Sequence, residues 1–503
     1  MRSRAPLLLA GIAAAVACGD DDAAAPVTCP DAGVVEAAAP VDAGPPPPRR
    51  AHVNSPELRT LLPNGNFLLL GVTTNFEPHA VYYQFNADGS TDVGAVPVYG
   101  GAPVILQKAI AEEDNAFVSG GAAAWYSRTV NGIASAISIW TPENGTKKVV
   151  TRTAAGVFAA SRDGKRVAFS AGADVDETPI AVTSSAAPTA EAPALSGANT
   201  VNLASPMTQC TTTLEFHAQT LFGAFCTGPA PDADESKLFT VDADGRAVLR
   251  ADEKSLGSKS IVFFDADPLA RHAFVFTGAL TAHLLTVDRP DATDTKALGE
   301  VNDARLLDDG SGVVVLGAKG LSRVGDSGEV VLASDATILY GLTRDSKTVF
   351  YATTDPQAAS TDLKDMSVSG GAPMTLVPTP TARFIDASGS SSHVIYRTDV
   401  AAGVGVLKAQ PVGGGAELTL APVAFGANVA PEGTGLLAVS DASTVSGAQA
   451  FRATFAYTDV TTAAPPLEMA TALLTVDTGR WIDRSFVYQD EGTIPGLFAL
   501  EVP

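Results

Sequence analysis

Basic and reactive side chains are scarce in this chain. Of 503 residues only 33 are Lys or Arg, against 55 Asp or Glu, for a net charge of −22. Nucleic acid and anionic lipid surfaces both demand a basic footprint, so this balance excludes them as primary partners. Histidine occurs six times, at His52, His79, His217, His272, His283 and His393. None sits in an HExxH arrangement, and neither a GxSxG elbow nor a phosphate-binding glycine loop is present. The three tryptophans, Trp125, Trp140 and Trp481, are too scattered for a sugar-stacking platform. The longest apolar run near the start, Ala5 to Ala17, has 13 residues. A bilayer-spanning helix needs about 20. The four cysteines, Cys18, Cys29, Cys210 and Cys226, show no zinc-site spacing.

What is abundant is Ala, Val, Leu, Gly and turn-forming residues, with 46 Gly and 33 Pro. This composition favours strands joined by tight turns. The clearest unit is Ser161 to Ser170, a polar Asp-Gly turn followed by a short run of strand formers. Related stretches recur around Phe67, Phe117, Val167, Phe222, Phe274, Val313, Val349, Val394, Leu436 and Phe486. Successive markers lie 36 to 55 residues apart, a spacing that fits several strands per unit. Sheets with two partly apolar faces cannot bury themselves singly, but packed radially they cover one another. The expected fold is therefore all-β: one large β-propeller of about seven to ten four-stranded blades over residues 51–503, with two smaller propellers as the alternative. The chain ends just after a strand that elsewhere is followed by another. The segment Arg50 to Leu58 is the candidate for the missing outer strand, closing the ring.

The Ser-x-Asp-Gly turn before an apolar strand, closest at Ser161 to Phe169, resembles the repeat of TolB-type β-propellers. Peptidases that carry such a propeller also carry a separate hydrolase domain, and no residues remain here to build one. The N-terminus carries a second resemblance. Residues 1–17, with Arg2, Arg4 and the apolar run Ala5 to Ala17, followed at their end by Ala15-Val16-Ala17-Cys18-Gly19, resemble the lipobox signal of bacterial lipoproteins. That resemblance implies acylation of Cys18 after cleavage, and the absence of Asp at position 19 resembles the outer-membrane sorting pattern. Residues 18–50, rich in Ala, Pro and Asp with Pro45 to Pro48 extended, read as a disordered tether.

Within the globular part, Cys210 and Cys226 fall on strands expected to be neighbours in one blade, so a structural disulfide is expected there, worth about 3 kcal/mol. Acidic residues follow the marker strand in several units: Asp174, Asp176, Asp232, Asp234, Asp355, Asp399, Asp441, Asp490 and Glu491. On loops between second and third strands they would form a negative rim around one end of the channel, attracting cations or a basic partner. The competing explanation is that Asp is simply a favoured turn residue. No cofactor is expected. Asn86 to Gly89 and Asp242 to Gly245 look like fragments of a calcium loop, leaving a structural Ca2+ open, but they fit hairpin turns better. His217 and His272 precede marker strands and are expected to serve turns or blade packing.

These features point to a monomeric, exported lipoprotein anchored through its lipid, acting as a non-enzymatic binding or scaffold module for envelope proteins through one propeller face. The alternative is a propeller enzyme of the lyase, lactonase or cyclase type with a site in the axial channel. A third possibility is a purely structural or surface-display protein. An enzyme needs His, Glu or Asp from several blades converging on the inner strands, whereas a binder needs an exposed loop face.

Overall fold

The computed structural model describes residues 55–502 except 111–114, 129–133, 154–157, 171–176, 190–201, 205–212, 228–234, 244, 289–293, 355–361, 378–386, 390–391, 402–403, 425, 430–434, 445–449, 463, 476–478, 483 and 491–494. The described chain forms ten antiparallel four-stranded sheets, nine of them meanders of consecutive strands a to d and the tenth completed by the first strand of the chain. Blades I to X occupy residues 67–110, 115–153, 158–204, 213–251, 261–299, 301–333, 338–377, 387–424, 426–475 and 479–501. The a strands of blades I and II, II and III, III and IV, VI and VII, VII and VIII, and X and I lie against each other. The a strands are therefore innermost and border the axis. The d strands form the outer rim.

The b strands explain why the repeat was visible. Each is buried on both sides, so successive residues serve two different cores and the strand reads as a continuous apolar run. In blade II, Ala122, Ala124 and Tyr126 pack toward blade III, while Ala123 and Trp125 pack toward blade I. In blade VII, Val349 and Tyr351 face blade VI and Phe350 faces blade VIII. The d strands bury much less, as in Val104–Ile110, where no residue is fully buried.

Ten apolar clusters of described residues correspond one to one with the ten seams between neighbouring blades. The cluster joining blades X and I unites Val487, Leu497 and Ala499 with Phe67, Ala80 and Tyr82. The seams thus run round a single closed ring, and the two-propeller alternative is set aside. The ten markers correspond to ten blades. In blades I and II, however, Phe67 and Phe117 lie on a strands, whereas the other eight lie on b strands.

Closure uses the N-terminal segment, as expected, with a shift in its bounds. Glu57–Pro63 pairs antiparallel with Gly496–Glu501 as strand d of blade X. The strand runs past Leu58 because Leu61 and Leu62 are buried in the closing seam. Arg59 anchors it through an ion pair with the buried Glu501 at 2.5 Å. The only helix among the described residues is Glu253–Leu256 between blades IV and V, capped by Asp252 and by Gly257 in the left-handed region.

Candidate functional site

Antiparallel order places every a–b and c–d connection at one end of the ring and every b–c connection at the other. At the first end, the a–b turns of blades III, V, VI and VII share one geometry. The residue at its start pairs by backbone with the residue five further on: Ser161 with Arg166, Asp267 with His272, Leu307 with Gly312, Thr343 with Thr348. The fourth position is left-handed in each, at Gly164, Ala270, Gly310 and Ser346. Two of these turns are chemically alike. The Ser161 hydroxyl donates to Asp163 at 2.7 Å and the Thr343 hydroxyl to Asp345 at 2.8 Å. Blade V has no such hydroxyl. There the Asp267 carboxylate accepts the amides of Leu269 at 2.8 Å and Arg271 at 2.9 Å, and also that of His272. This turn sets the direction of both Arg271 and His272.

Between blades V and VI these turns stand apart and leave a cleft of about 430 Å³, lined by Arg271, His272, Asp288, Ser311, Arg323 and Asp326 with Gly310 and Ser327. His272, 2% exposed, spans the seam. Its Nδ1 lies 2.9 Å from the Gly310 carbonyl oxygen and its Nε2 lies 3.0 Å from the Asp326 carboxylate. Asp326 also accepts from the Thr286 hydroxyl at 3.1 Å. Arg323 donates through Nη2 to the Ser311 hydroxyl at 3.1 Å, while its buried Nε has no hydrogen-bond partner. Neither Arg271 nor Arg323 forms an ion pair with a carboxylate among the described residues. Burial raises the Asp309 carboxyl, but the Ser311 hydroxyl and amide together with Arg323 and Arg271 outweigh it and hold the group below the usual carboxylate range.

A second group lies one seam away. Glu215 and His217 occupy strand a of blade IV, and Asp265 occupies strand a of blade V. One ligand-type atom from each falls within 4.8 Å of the other two, and all three residues are partly buried. His217 Nε2 lies 3.3 Å from Glu215 Oε2, and the ring stands edge-on to the buried Phe222 at 5.5 Å. The group thus joins one His, one Glu and one Asp from the a strands of two neighbouring blades.

The residues singled out in the sequence fare differently. Cys18, Cys210, Asp174, Asp176, Asp232, Asp234, Asp355 and Glu491 lie outside the described residues. Cys226 is on strand b of blade IV opposite Ser236, and no disulfide is seen among the described residues. Asp399 and Asp441 stand within strands b of blades VIII and IX, because these strands extend further than the marker runs suggested. Asp490 ends strand b of blade X and is half-buried, where it adds to the burial that raises the Tyr488 hydroxyl. Of the nine carboxylates named for the acidic rim, the described residues include only Asp399, Asp441 and Asp490, all on b strands.

The calcium-like fragments form turns. In the first, Asp88 accepts the Ser90 amide at 2.9 Å and hydroxyl at 2.6 Å. In the second, Asp242 accepts the Arg246 amide at 2.8 Å, with Asp244 outside the described residues. His272 serves packing between blades, as expected, whereas His217 pairs with Glu215 and has Asp265 within 4.8 Å. Glu215, Asp265, Arg271, Arg323 and Asp326 were missed. The signal available was the i, i+2 spacing of Glu215 and His217, which places both on one side of a strand.

No protein-family model matches the chain, and no curated protein matches it in sequence. Among solved structures, it is similar to a eukaryotic initiation factor at 11% identity and a TM-score of 0.42, covering 85% of this chain and 91% of that one. A putative TolB from Agrobacterium tumefaciens matches at 13% identity and a TM-score of 0.28, over 45% of this chain and 85% of that one. The β-propeller domain of the Trilobed protease from Pyrococcus furiosus matches at 10% identity and 0.28, over 70% and 97%. The assignment as a propeller rests on the sheets and seams described above.

Proposed function

We propose that the chain is a lipid-anchored binding module of the bacterial cell envelope whose working surface is the end bearing the a–b and c–d turns. On this reading the cleft between blades V and VI receives an acidic segment of a partner protein. The observation that carries it is the pair of guanidinium groups, Arg271 and Arg323, which line the cleft and act on Asp309 at a distance but form no contact ion pair with a carboxylate among the described residues. Guanidinium donors in a fixed fork suit planar carboxylates, and His272 holds the walls at a set separation. Acylation of Cys18 would keep this surface near the membrane.

The test is photo-crosslinking in cells from position Ser327, comparing the natural chain with an Arg271→Ala, Arg323→Ala double variant. One envelope protein captured by the natural chain and lost in the variant supports the reading. Capture that is unchanged in the variant sinks it. A triple Asp355→Asn, Asp399→Asn, Asp441→Asn variant assigns the working surface to the opposite end if it alone abolishes capture. Labelling with an alkynyl fatty acid that survives Cys18→Ala would refute the anchor. The enzyme reading has one observation in its favour, the convergence of Glu215, His217 and Asp265 on the inner strands.

A further inference from the structure

We infer that Glu215, His217 and Asp265 bind one divalent transition-metal ion at the seam between blades IV and V. Alternation along Thr213–His217 puts Leu214 and Phe216 into the core shared with blade III, so Glu215 and His217 take the other side, toward blade V. Asp265 is on the neighbouring inner strand. The donor atoms are already near coordination spacing. Metal bonds of about 2.1 Å place adjacent donors about 3.0 Å apart in an octahedron and about 3.4 Å in a tetrahedron. His217 Nε2 and Glu215 Oε2 stand 3.3 Å apart, and the whole set falls within 4.8 Å, so a small inward movement of Asp265 completes it.

The surroundings favour a site that holds its shape yet is reached from solvent. Phe222, fully buried, fixes the imidazole edge-on at 5.5 Å. The side chains of Glu215 and His217 keep 14% and 16% exposure, enough for an ion to enter and for water to complete its coordination. The donor set decides the class of metal. One imidazole with two carboxylates suits Zn2+, Mn2+, Co2+ or Fe2+, whereas Ca2+ takes six to eight oxygens and Mg2+ keeps most of its water. Two carboxylates from separate strands brought this close repel each other, and a divalent ion offsets that repulsion. The competing arrangement is the His217–Glu215 contact alone, with no ion between them and Asp265.

The inference is independent of the cleft between blades V and VI, since it uses a different seam and different residues. The test is calorimetric titration of the chelator-stripped, full-length protein with Zn2+ and Mn2+, and with Co2+ followed by its visible absorption. The expected result is one ion per chain, with affinity lowered about tenfold or more by Asp265→Asn and by His217→Gln. Millimolar Ca2+ should not compete. Thermal midpoints of the stripped variants show whether each folds, and Glu215→Gln stands in for one that does not. No saturable binding, binding unchanged in the folded variants, or displacement by Ca2+ overturns the inference. None of these outcomes touches the crosslinking result.

Discussion

Two seams of the same ring are closed by different means. Between blades II and III the a–b turns meet backbone to backbone: Gly121 donates to the Ser161 carbonyl at 2.8 Å, and there is no room for a side chain. A Cβ on Gly164 would stand 2.5 Å from the Gly121 oxygen. Between blades V and VI the equivalent left-handed glycine is Gly310. The three heavy atoms nearest a Cβ added there are side-chain atoms of Arg271 and Asp267, the nearest of each at 3.0 Å, and an imidazole spans the gap. A seam locked by glycines has no space for a ligand. One held open by a side chain has a cleft, so function can be sited where the repeat's turn chemistry was relaxed.

The largest expected effect breaks the closed seam. Gly164→Ala imposes both a left-handed alanine and a collision with backbone that cannot swing away, and should cost about 3 kcal/mol. A fall in the urea midpoint of that order would be read by circular dichroism. His272→Ala tests the open seam. It leaves the Gly310 carbonyl without its partner and should cost about 2 kcal/mol, while also reducing any cleft-dependent crosslinking. A loss near zero would mean that the imidazole does not hold the walls.

Gly310→Ala repeats the first substitution at the open seam, where the obstructing atoms belong to side chains. It should cost only about 1 kcal/mol, from the backbone conformation. Equal losses at Gly164 and Gly310 would erase the distinction between the seams.

The smallest effect is acid sensitivity. His79 and His283 are held below the ordinary imidazole range by burial. The unfolded chain therefore takes up protons that the fold does not, so stability declines as pH falls below about 6.5. Asp309 and Asp345 are also held low, against burial, chiefly by Ser311 and Thr343. Their contribution is present above about pH 4 and is lost as pH drops through their folded values. Asp309→Asn should flatten only this second decline in a series of urea midpoints and leave the first unchanged.

Much of the architecture was legible because its causes are local. Ser161, Asp163 and Gly164 announce their turn through hydroxyl and carboxylate hydrogen bonds made within six residues. The b strands announce themselves because burial on two sides removes the polar alternation of an ordinary antiparallel strand. Closure was legible in outline from an unpaired final strand, although its bounds shifted when Leu61 and Leu62 proved to belong to the last seam. The lengths of the b strands were not legible. Asp399 and Asp441 fall inside long strands, and nothing in a short marker run shows how far its hairpin continues.

By itself, then, the sequence determined an all-β repeat, its turns, its apolar second strands and the strong negative charge, since each follows from neighbours along the chain. Ring size, seam type and candidate sites were decided only in three dimensions. Markers spaced 36 to 55 residues apart do not specify how widely each blade wedges against the next, whereas ten packed seams do. Glu215 and Asp265, or Arg271 and Arg323, come from different blades about one repeat apart. Side chains so distant along the chain become neighbours only through radial packing, because their proximity is a property of the seam and not of either blade.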